Sequence, residues 1–387
     1  MGNSQSPPAD PRFSSATRAF TQKDLEDLNS LFVSLAAQSK SNNEYISLSV
    51  FQSVYEKGTR DDIEEFIYQL LNVTGDGVVG RCDIESVLAA ILRSIFSLEA
   101  SNPGLNSHRE IINVFLSSAK FSKVVEGAAE KSMSFEDFRS WCALLPSVRK
   151  FLGSLLIPPD AGRLGSQVPQ LVHGDNINPD LILLREEYAW HIGGALPHHE
   201  LVEWKLLYHS AINGMSFNTF LGSTSNGEGP TILIIKDKDG YIYGGYASQP
   251  WERHGDFYGD LKSFLFQLYP KASIFKPTGA NNNVQWCAAN FSSESIPNGI
   301  GFGGRVNHFG LFLSASFDVG QTFTCTTFGS PCLSKTNRIF PEVIECWGIV
   351  QNGAQQEKLD AAKGTVLERF KEDRHMLNMV GLANSSE

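Results

Sequence analysis

The chain has 387 residues, with 32 lysines and arginines against 42 aspartates and glutamates, a formal net charge of -10. At 42% hydrophobic and 19% charged residues it has the composition of a chain that buries cores, and its length suits about two or three folding units. The acid excess runs through the whole sequence, so no basic stripe is present to grip nucleic acid or an anionic membrane. No uncharged apolar run reaches the ~18 residues of a spanning helix, and Val87–Leu92 is cut short by Arg93.

Met1-Gly2-Asn3-Ser4-Gln5-Ser6 fits the acylation pattern M-G-x-x-x-[ST], with Gly2 as the myristate acceptor once Met1 is removed. Residues 1–19 then read as an acylated flexible tail. A single myristoyl chain holds a membrane only reversibly. Neither a nearby cysteine nor a polybasic patch reinforces it, so the second anchor is expected to be a membrane-resident protein.

Residues 20–157 read as helices. Thr21 precedes Leu25, Leu28, Phe32 and Leu35 at helical spacing, and further segments follow at 48–57, 60–71, 83–98, 107–121 and 134–152. Between two of them, Asn72, Thr74, Asp76 and Asp83 fall at positions 1, 3, 5 and 12 of a calcium-loop register, with Gly77 at the turn. The stretch resembles an EF-hand that has lost ligands: two carboxylates stand where about four are usual, and Asp83 replaces the longer closing Glu. Its neighbours are further degraded, with Val50 at one closing position and Ala128 and Lys131 at a ligand and a turn position. The expected use is protein contact without a cofactor, and a calcium-responsive adaptor is the alternative.

Residues 158–176 are rich in Pro, Gly and Ser and read as a linker. From 177 to 350 the pattern turns to strands. Thr231–Ile235, the hairpin dipeptide Asp239-Gly240, Tyr241–Tyr246, Phe309–Leu313 and Val343–Val350 imply an α+β fold with an antiparallel β-sandwich and flanking helices. Phe257–Leu268 is predicted to be one of those helices.

The ordered blocks Trp204–Ser210, Gly214–Phe217, Gly244-Gly245-Tyr246-Ala247-Ser248-Gln249-Pro250-Trp251, Pro297–Gly304 (with Gly301, Gly303 and Gly304), Phe309-Gly310-Leu311 and Glu345-Cys346-Trp347-Gly348 resemble the TLDc domain. The resemblance implies a non-enzymatic regulator that binds the catalytic head of the vacuolar-type proton pump, the V-ATPase. Together with the acylation signal and the EF-hand-like region, it is similar to the lysosome-associated, mTOR-linked branch of that family. This implies a cytoplasmic protein held peripherally at lysosomal or vacuolar membranes and linked to oxidative-stress resistance.

Gly299–Gly304 also spells G-x-G-x-x-G, but a dinucleotide fingerprint follows a strand and opens a helix, whereas this one leads towards a strand, so no nucleotide is expected. The nucleophile elbow G-x-S-x-G is absent, and the adjacent His198 and His199 with Glu200 read as solvated surface rather than a metal cluster. The six cysteines, Cys82, Cys142, Cys287, Cys325, Cys332 and Cys346, form no CxxC and read as reduced thiols without zinc. Thiol chemistry against oxidants is thus the weaker enzymatic alternative.

Residues 351–387 extend past the domain. Leu359, Val366, Phe370 and Leu377 share one helical stripe, and two readings stay open: docking on this chain, or insertion into a partner's groove.

Overall fold

The computed structural model describes residues 60–74, 78–96, 105–124, 130–154, 165–174, 177–224, 229–293 and 295–350. Gly2, the helices expected before residue 60, and the stripe Leu359, Val366, Phe370 and Leu377 lie outside the described residues.

The described part of 60–154 is helical: α1 (Arg60–Leu70), α2 (Arg81–Phe96), α3 (Leu105–Leu116), α4 (Phe135–Leu144) and α5 (Pro146–Ser154). The helix expected over 134–152 is two helices. Leu145 leaves helical geometry at φ -119°, ψ 68°, and Pro146, with no N–H to donate, opens the next helix. Helix α4 starts with a reciprocal cap in which Ser134 Oγ accepts from the Asp137 amide while Asp137 accepts from the Ser134 amide.

The strands are β1 (Gln170–Val172), β2 (Glu203–His209), β3 (Thr231–Asp237), β4 (Ile242–Ala247), β5 (Phe264–Tyr269) and β6 (Ser273–Phe275). After them come β7 (Gln285–Ala288), β8 (Gly299–Arg305), β9 (His308–Ser314), β10 (Gly320–Gln321), β11 (Arg338–Ile339) and β12 (Pro341–Val350). Helix α6 (Glu186–Gly193) precedes β2, and α7 (Ser210–Asn213) and α8 (Phe217–Thr224) follow it. A seven-stranded sheet in the order β1-β2-β12-β3-β4-β5-β6 packs on a five-stranded sheet in the order β11-β10-β9-β8-β7. The α+β sandwich expected from the sequence is present, with every pairing antiparallel except β1 on β2.

The helix expected at Phe257–Leu268 is a turn followed by a strand. Gly259 sits at φ 97°, and from Phe264 the side chains alternate between two buried faces. Phe264, Phe266 and Leu268 join one core and Leu265 the other. Burial on both sides imposes the strand period of two on an apolar run that helical spacing also fits.

The same alternation organises the whole seven-stranded sheet. Leu233, Ile235 and Leu265 face the second sheet, where they meet Ile300, Phe302 and Leu311. Ile232, Ile234, Phe266 and Trp347 face the other way, into a core shared with Leu88, Phe115 and Trp141 of the helical layer. Polar contacts tie the same joint: Ser118 Oγ donates to the Ala272 carbonyl, the Ala272 amide to Val114 at 3.1 Å, and Lys150 Nζ to the Leu196 carbonyl at 2.8 Å.

Residues 165–172, inside the segment read as a linker, are built into this arrangement. Trp190 Nε1 donates to the Gly165 carbonyl at 2.8 Å, and β1 runs parallel to β2, covering an edge that would otherwise expose unpaired backbone groups.

His191 on α6 lies at the joint, fully buried, with its ring 5.4 Å from that of Phe115 and with neither nitrogen hydrogen-bonded among the described residues. Burial pushes its pKa down to about 3. The unfolded chain, titrating near ~6.5, therefore takes up the proton first, and stability falls as pH drops from ~6.5 towards ~3. His191→Leu should flatten that loss in urea titrations run across this window. Phe115→Ala should cost about 3–5 kcal/mol. Because its core is shared, it should lower the midpoint of one common transition of both layers rather than detach an early one.

Candidate functional site

The residues picked out by sequence pattern divide between the two faces of the seven-stranded sheet: Gly245 and Trp251 stand at the joint between the sheets, whereas Tyr246 and Trp347 join the core shared with the helical layer. Gly245 faces Phe302 of the opposite sheet, and a methyl group there would stand 2.7 Å from that ring. Gly244 and Gly245 both have negative φ, so close approach, not a left-handed backbone, is what demands glycine. Trp251 packs edge-on against Phe302 at 5.4 Å and donates Nε1 to Thr231 Oγ1 at 2.9 Å.

Strand β8 accounts for the glycine-rich run. A side chain at Gly301 would collide with the Leu311 carbonyl at 2.6 Å, and one at Gly303 with Cys325 Sγ at 2.6 Å. Gly304, at φ 81°, would meet the His308 carbonyl at 2.2 Å. Because β8 is paired on both sides by β7 and β9 and opens no helix, the run has no helix N-terminus to receive a pyrophosphate.

Sequence reasoning misses the role of the buried acids: Glu345 stands inside a signature block, and Glu200, read as solvated surface, is buried. Glu345, fully buried on β12, accepts from the amides of Leu183 at 2.5 Å and Leu184 at 3.3 Å and from Trp347 Nε1 at 2.9 Å. His209 Nε2 lies 3.5 Å from it. His209 Nδ1 accepts from the Ala211 amide, so the proton sits on Nε2, which also points at the Leu181 carbonyl at 3.2 Å. Burial raises the Glu345 carboxyl above the usual range, against the donors that favour its charge.

A carboxylate–histidine pair is the orienting half of a nucleophile triad. This one is sealed from solvent, and the neighbouring Ser210 Oγ accepts from the Ile344 amide. Its work is to staple residues 181–184 to β12. The pairing register Glu345↔His209 creates it, and nothing local to either residue announces it.

Two more acids are spent in the same way. Asp237 accepts from the Asp239 and Tyr241 amides, each at 3.0 Å, from the Tyr243 hydroxyl at 3.0 Å and from the Ser334 hydroxyl. Gly240 at φ 83° completes the turn that the sequence indicated. Glu200 is buried and accepts from the Tyr246 hydroxyl at 2.7 Å, while His198 and His199 beside it are exposed. Among the described residues no group of three or more His, Cys, Asp or Glu is placed to hold a metal.

In the segment read as a degenerate calcium loop, both oxygens of Asp83 are engaged at 2.8 Å, one by the Thr74 amide and the other by the Gly80 amide. Asp76 lies outside the described residues. A single antiparallel bridge joins Val79 to Met133, and four residues after Met133 Asp137 is occupied likewise, by Ser122 and by the Ser134 amide. Burial acts to raise Asp137, yet these hydrogen bonds outweigh it and hold the carboxyl down at about 2. The geometry makes Asp83 and Asp137 helix-start staples, with both oxygens of Asp83 and Oδ2 of Asp137 already taken.

Three of the six thiols are poorly poised for oxidant chemistry, while Cys82 is exposed. Burial pushes Cys142, Cys287 and Cys346 up to about 12, far from the thiolate form at neutral pH. Among the described residues no helix is long and apolar enough to cross a membrane.

Comparison with known proteins agrees with the geometry. Residues 178–350 match the TLDc domain family. The chain is 36% identical over 189 residues to the MTOR-associated protein MEAK7 of Danio rerio, covering 48% of this chain and 41% of that one. It is 26% identical over 373 residues to the Gallus gallus protein of the same name, covering 87% and 76% of the two chains. Oxidation resistance protein 1 of Mus musculus is 27% identical over 217 residues, 56% of this chain and 24% of that one. The match to the Danio rerio relative thus spans about two fifths of its length.

Two outcomes follow from the acids. Glu345→Ala should cost about 3–5 kcal/mol in urea denaturation, since it strands buried donors and leaves His209 without its carboxylate. Titrating the protein with calcium to ~10 mM, about tenfold above the dissociation constant of the weakest sites, should release no heat by calorimetry. A saturable heat lost in Asp83→Asn would establish the calcium adaptor instead.

Proposed function

We infer, from the TLDc domain that this chain carries at residues 178–350, that the protein is a non-enzymatic regulatory adaptor which binds the V-ATPase at its catalytic head. The observation that carries the reading is the set of signature blocks shared with that domain. Gly245, Trp251 and Trp347 serve the joint and the packing of the sandwich, and the buried acids Glu345, Asp237 and Glu200 are each spent on holding chain segments together. A domain whose polar interior is consumed in this way acts through its surface. The relatives named as MTOR-associated and as oxidation resistance proteins support a regulatory role linked to mTOR signalling and oxidative stress.

In this reading Gly2 carries a myristoyl group that brings the protein to lysosomal or vacuolar membranes. The net charge of -10 adds no attraction to anionic lipid, so residence there depends on the pump. The stripe Leu359, Val366, Phe370 and Leu377 supplies a further contact.

The test is direct. Acylated full-length protein should co-purify with V-ATPase from detergent-solubilised endomembranes, and failure to bind purified pump would sink the proposal. Gly2→Ala should abolish the acyl mass increment, read by intact-mass analysis after expression with an N-myristoyltransferase. It should also lower the membrane-bound fraction while leaving binding to solubilised pump intact.

A further inference from the structure

The outer side of the five-stranded sheet carries a cleft that the pump reading does not use. At the end of the β8–β9 hairpin, Arg305 pairs in register with His308. Their side chains line a depression of about 510 Å³ together with Asn281, Asn283 and Thr326. Phe323 and Asn337 form its far wall and are shared with a second depression of about 380 Å³, which continues over Phe312 and Gln321 to Arg338.

Three features give this cleft a chemistry. The first is charge: Arg305 and Arg338 are exposed, neither is ion-paired among the described residues, the exposed His308 ring stands beside Arg305, and no carboxylate lines either depression. In a chain of net charge -10 such a stretch is a local inversion of sign. Asp318, close by in sequence, is engaged by the Ser316 hydroxyl.

The second feature is the distribution of polar and apolar groups. The cations stand in different depressions, with asparagine amides and threonine hydroxyls beside them and an aromatic floor from Phe312 and Phe323. The His308 ring lies against Phe323 at a tilt of 38° with centroids 5.0 Å apart, and the Arg338 guanidinium lies 5.2 Å from the Phe340 ring.

The third is rigidity. Asn283 Nδ2 donates to the Gly304 carbonyl at 2.7 Å, the Gly304 amide to Thr327 Oγ1 at 2.9 Å, and Thr327 Oγ1 to Asn281 Oδ1 at 2.8 Å. The wall beneath Arg305 is therefore held in place before anything binds, which lowers the cost of binding.

A compact anion such as phosphate would occupy one depression and leave the other unused, since Arg305 lines the first and Arg338 the second. A nucleic acid or an anionic membrane would have to overcome the acidity of the rest of the chain. An extended peptide needs what is present: cations in separate depressions for separate carboxylates, side-chain amides for its backbone, and aromatic surface for the residues between. We propose that this cleft is a docking groove for an extended acidic segment of a protein partner. The assignment goes beyond the pump reading and stands without it.

The probe is a dye-labelled peptide of alternating glutamate and valine, titrated by fluorescence anisotropy into the full-length protein. A lysine–valine peptide, inorganic phosphate and phosphatidylserine vesicles provide the other arms. The glutamate peptide should bind and the lysine peptide should not. Raising NaCl from ~50 to ~500 mM should weaken the binding, since the cations are exposed to screening. Arg305→Glu and Arg338→Glu should each reduce affinity at least ~tenfold. If charge reversal lowers the melting temperature, Arg305→Gln with Arg338→Gln is the test variant and should weaken binding in the same direction. Absence of binding by the glutamate peptide, equal binding by wild type and variants, or its displacement by phosphate or vesicles would overturn the proposal. None of these readouts involves the pump, so failure to co-purify with V-ATPase leaves this result to be judged alone.

Discussion

A sheet that is apolar on both faces cannot stand against water on either, and that constraint governs this protein. Along β3 the side chains of Ile232 and Ile234 point one way and those of Leu233 and Ile235 the other, all buried. One face is covered by the five-stranded sheet and the other by helices that come earlier in the chain, including Phe115 and Trp141. At roughly 1.5–3 kcal/mol for each large apolar side chain removed from water, neither cover is dispensable. The helical layer is thus the second wall of the sandwich as well as a neighbouring module, and the segment 165–172 is drawn into the sheet between them.

Close packing on both faces explains the glycines and the buried acids together. Where sheets approach most closely, at Gly245 against Phe302 and along β8 against β9, a side chain has no room. Where chain segments must cross the sheet ends, backbone amides are left without ladder partners, and buried carboxylates accept from them. Glu345 does this for residues 183–184, Asp237 for the turn at 239–241, and Asp83 and Asp137 for the starts of two helices. Groups that look like chemistry in a linear reading, such as a carboxylate beside a histidine or an acid closing a calcium-loop register, are consumed in supporting the fold. On the surface, the cations Arg305 and Arg338 contrast with the rest of an acidic chain.

Much of the strand pattern was legible because alternating burial imprints a period of two, as at Thr231–Ile235 and Phe309–Leu313. The helix read at Phe257–Leu268 failed for an instructive reason: a run such as Phe264-Leu265-Phe266 is apolar at every position, so its period carries no information until both neighbours are known. The break at Leu145–Pro146 was visible as a proline but was absorbed into the apolar stripe of the flanking helices. The site was less legible than the fold. Trp251 and Gly304 stand out by residue type, whereas Glu345 and His209 become a pair only through the register of β12 against β2.

The sequence alone determined several of the strands, such as Thr231–Ile235 and Phe309–Leu313, that Gly299–Gly304 lacks the helix a nucleotide fingerprint requires, and, through the ordered blocks from Trp204 to Gly348, that the chain carries a TLDc domain. Those are local properties, written in period, turn residues and the spacing of glycines and aromatics. The tertiary structure alone decided that the helical layer shares a core with the sandwich and that the buried acids are staples. It also brought Arg305 and Arg338, 33 positions apart, to one cleft without an acid. Those are properties of register and of which faces meet, set by long-range packing and invisible to any window of sequence.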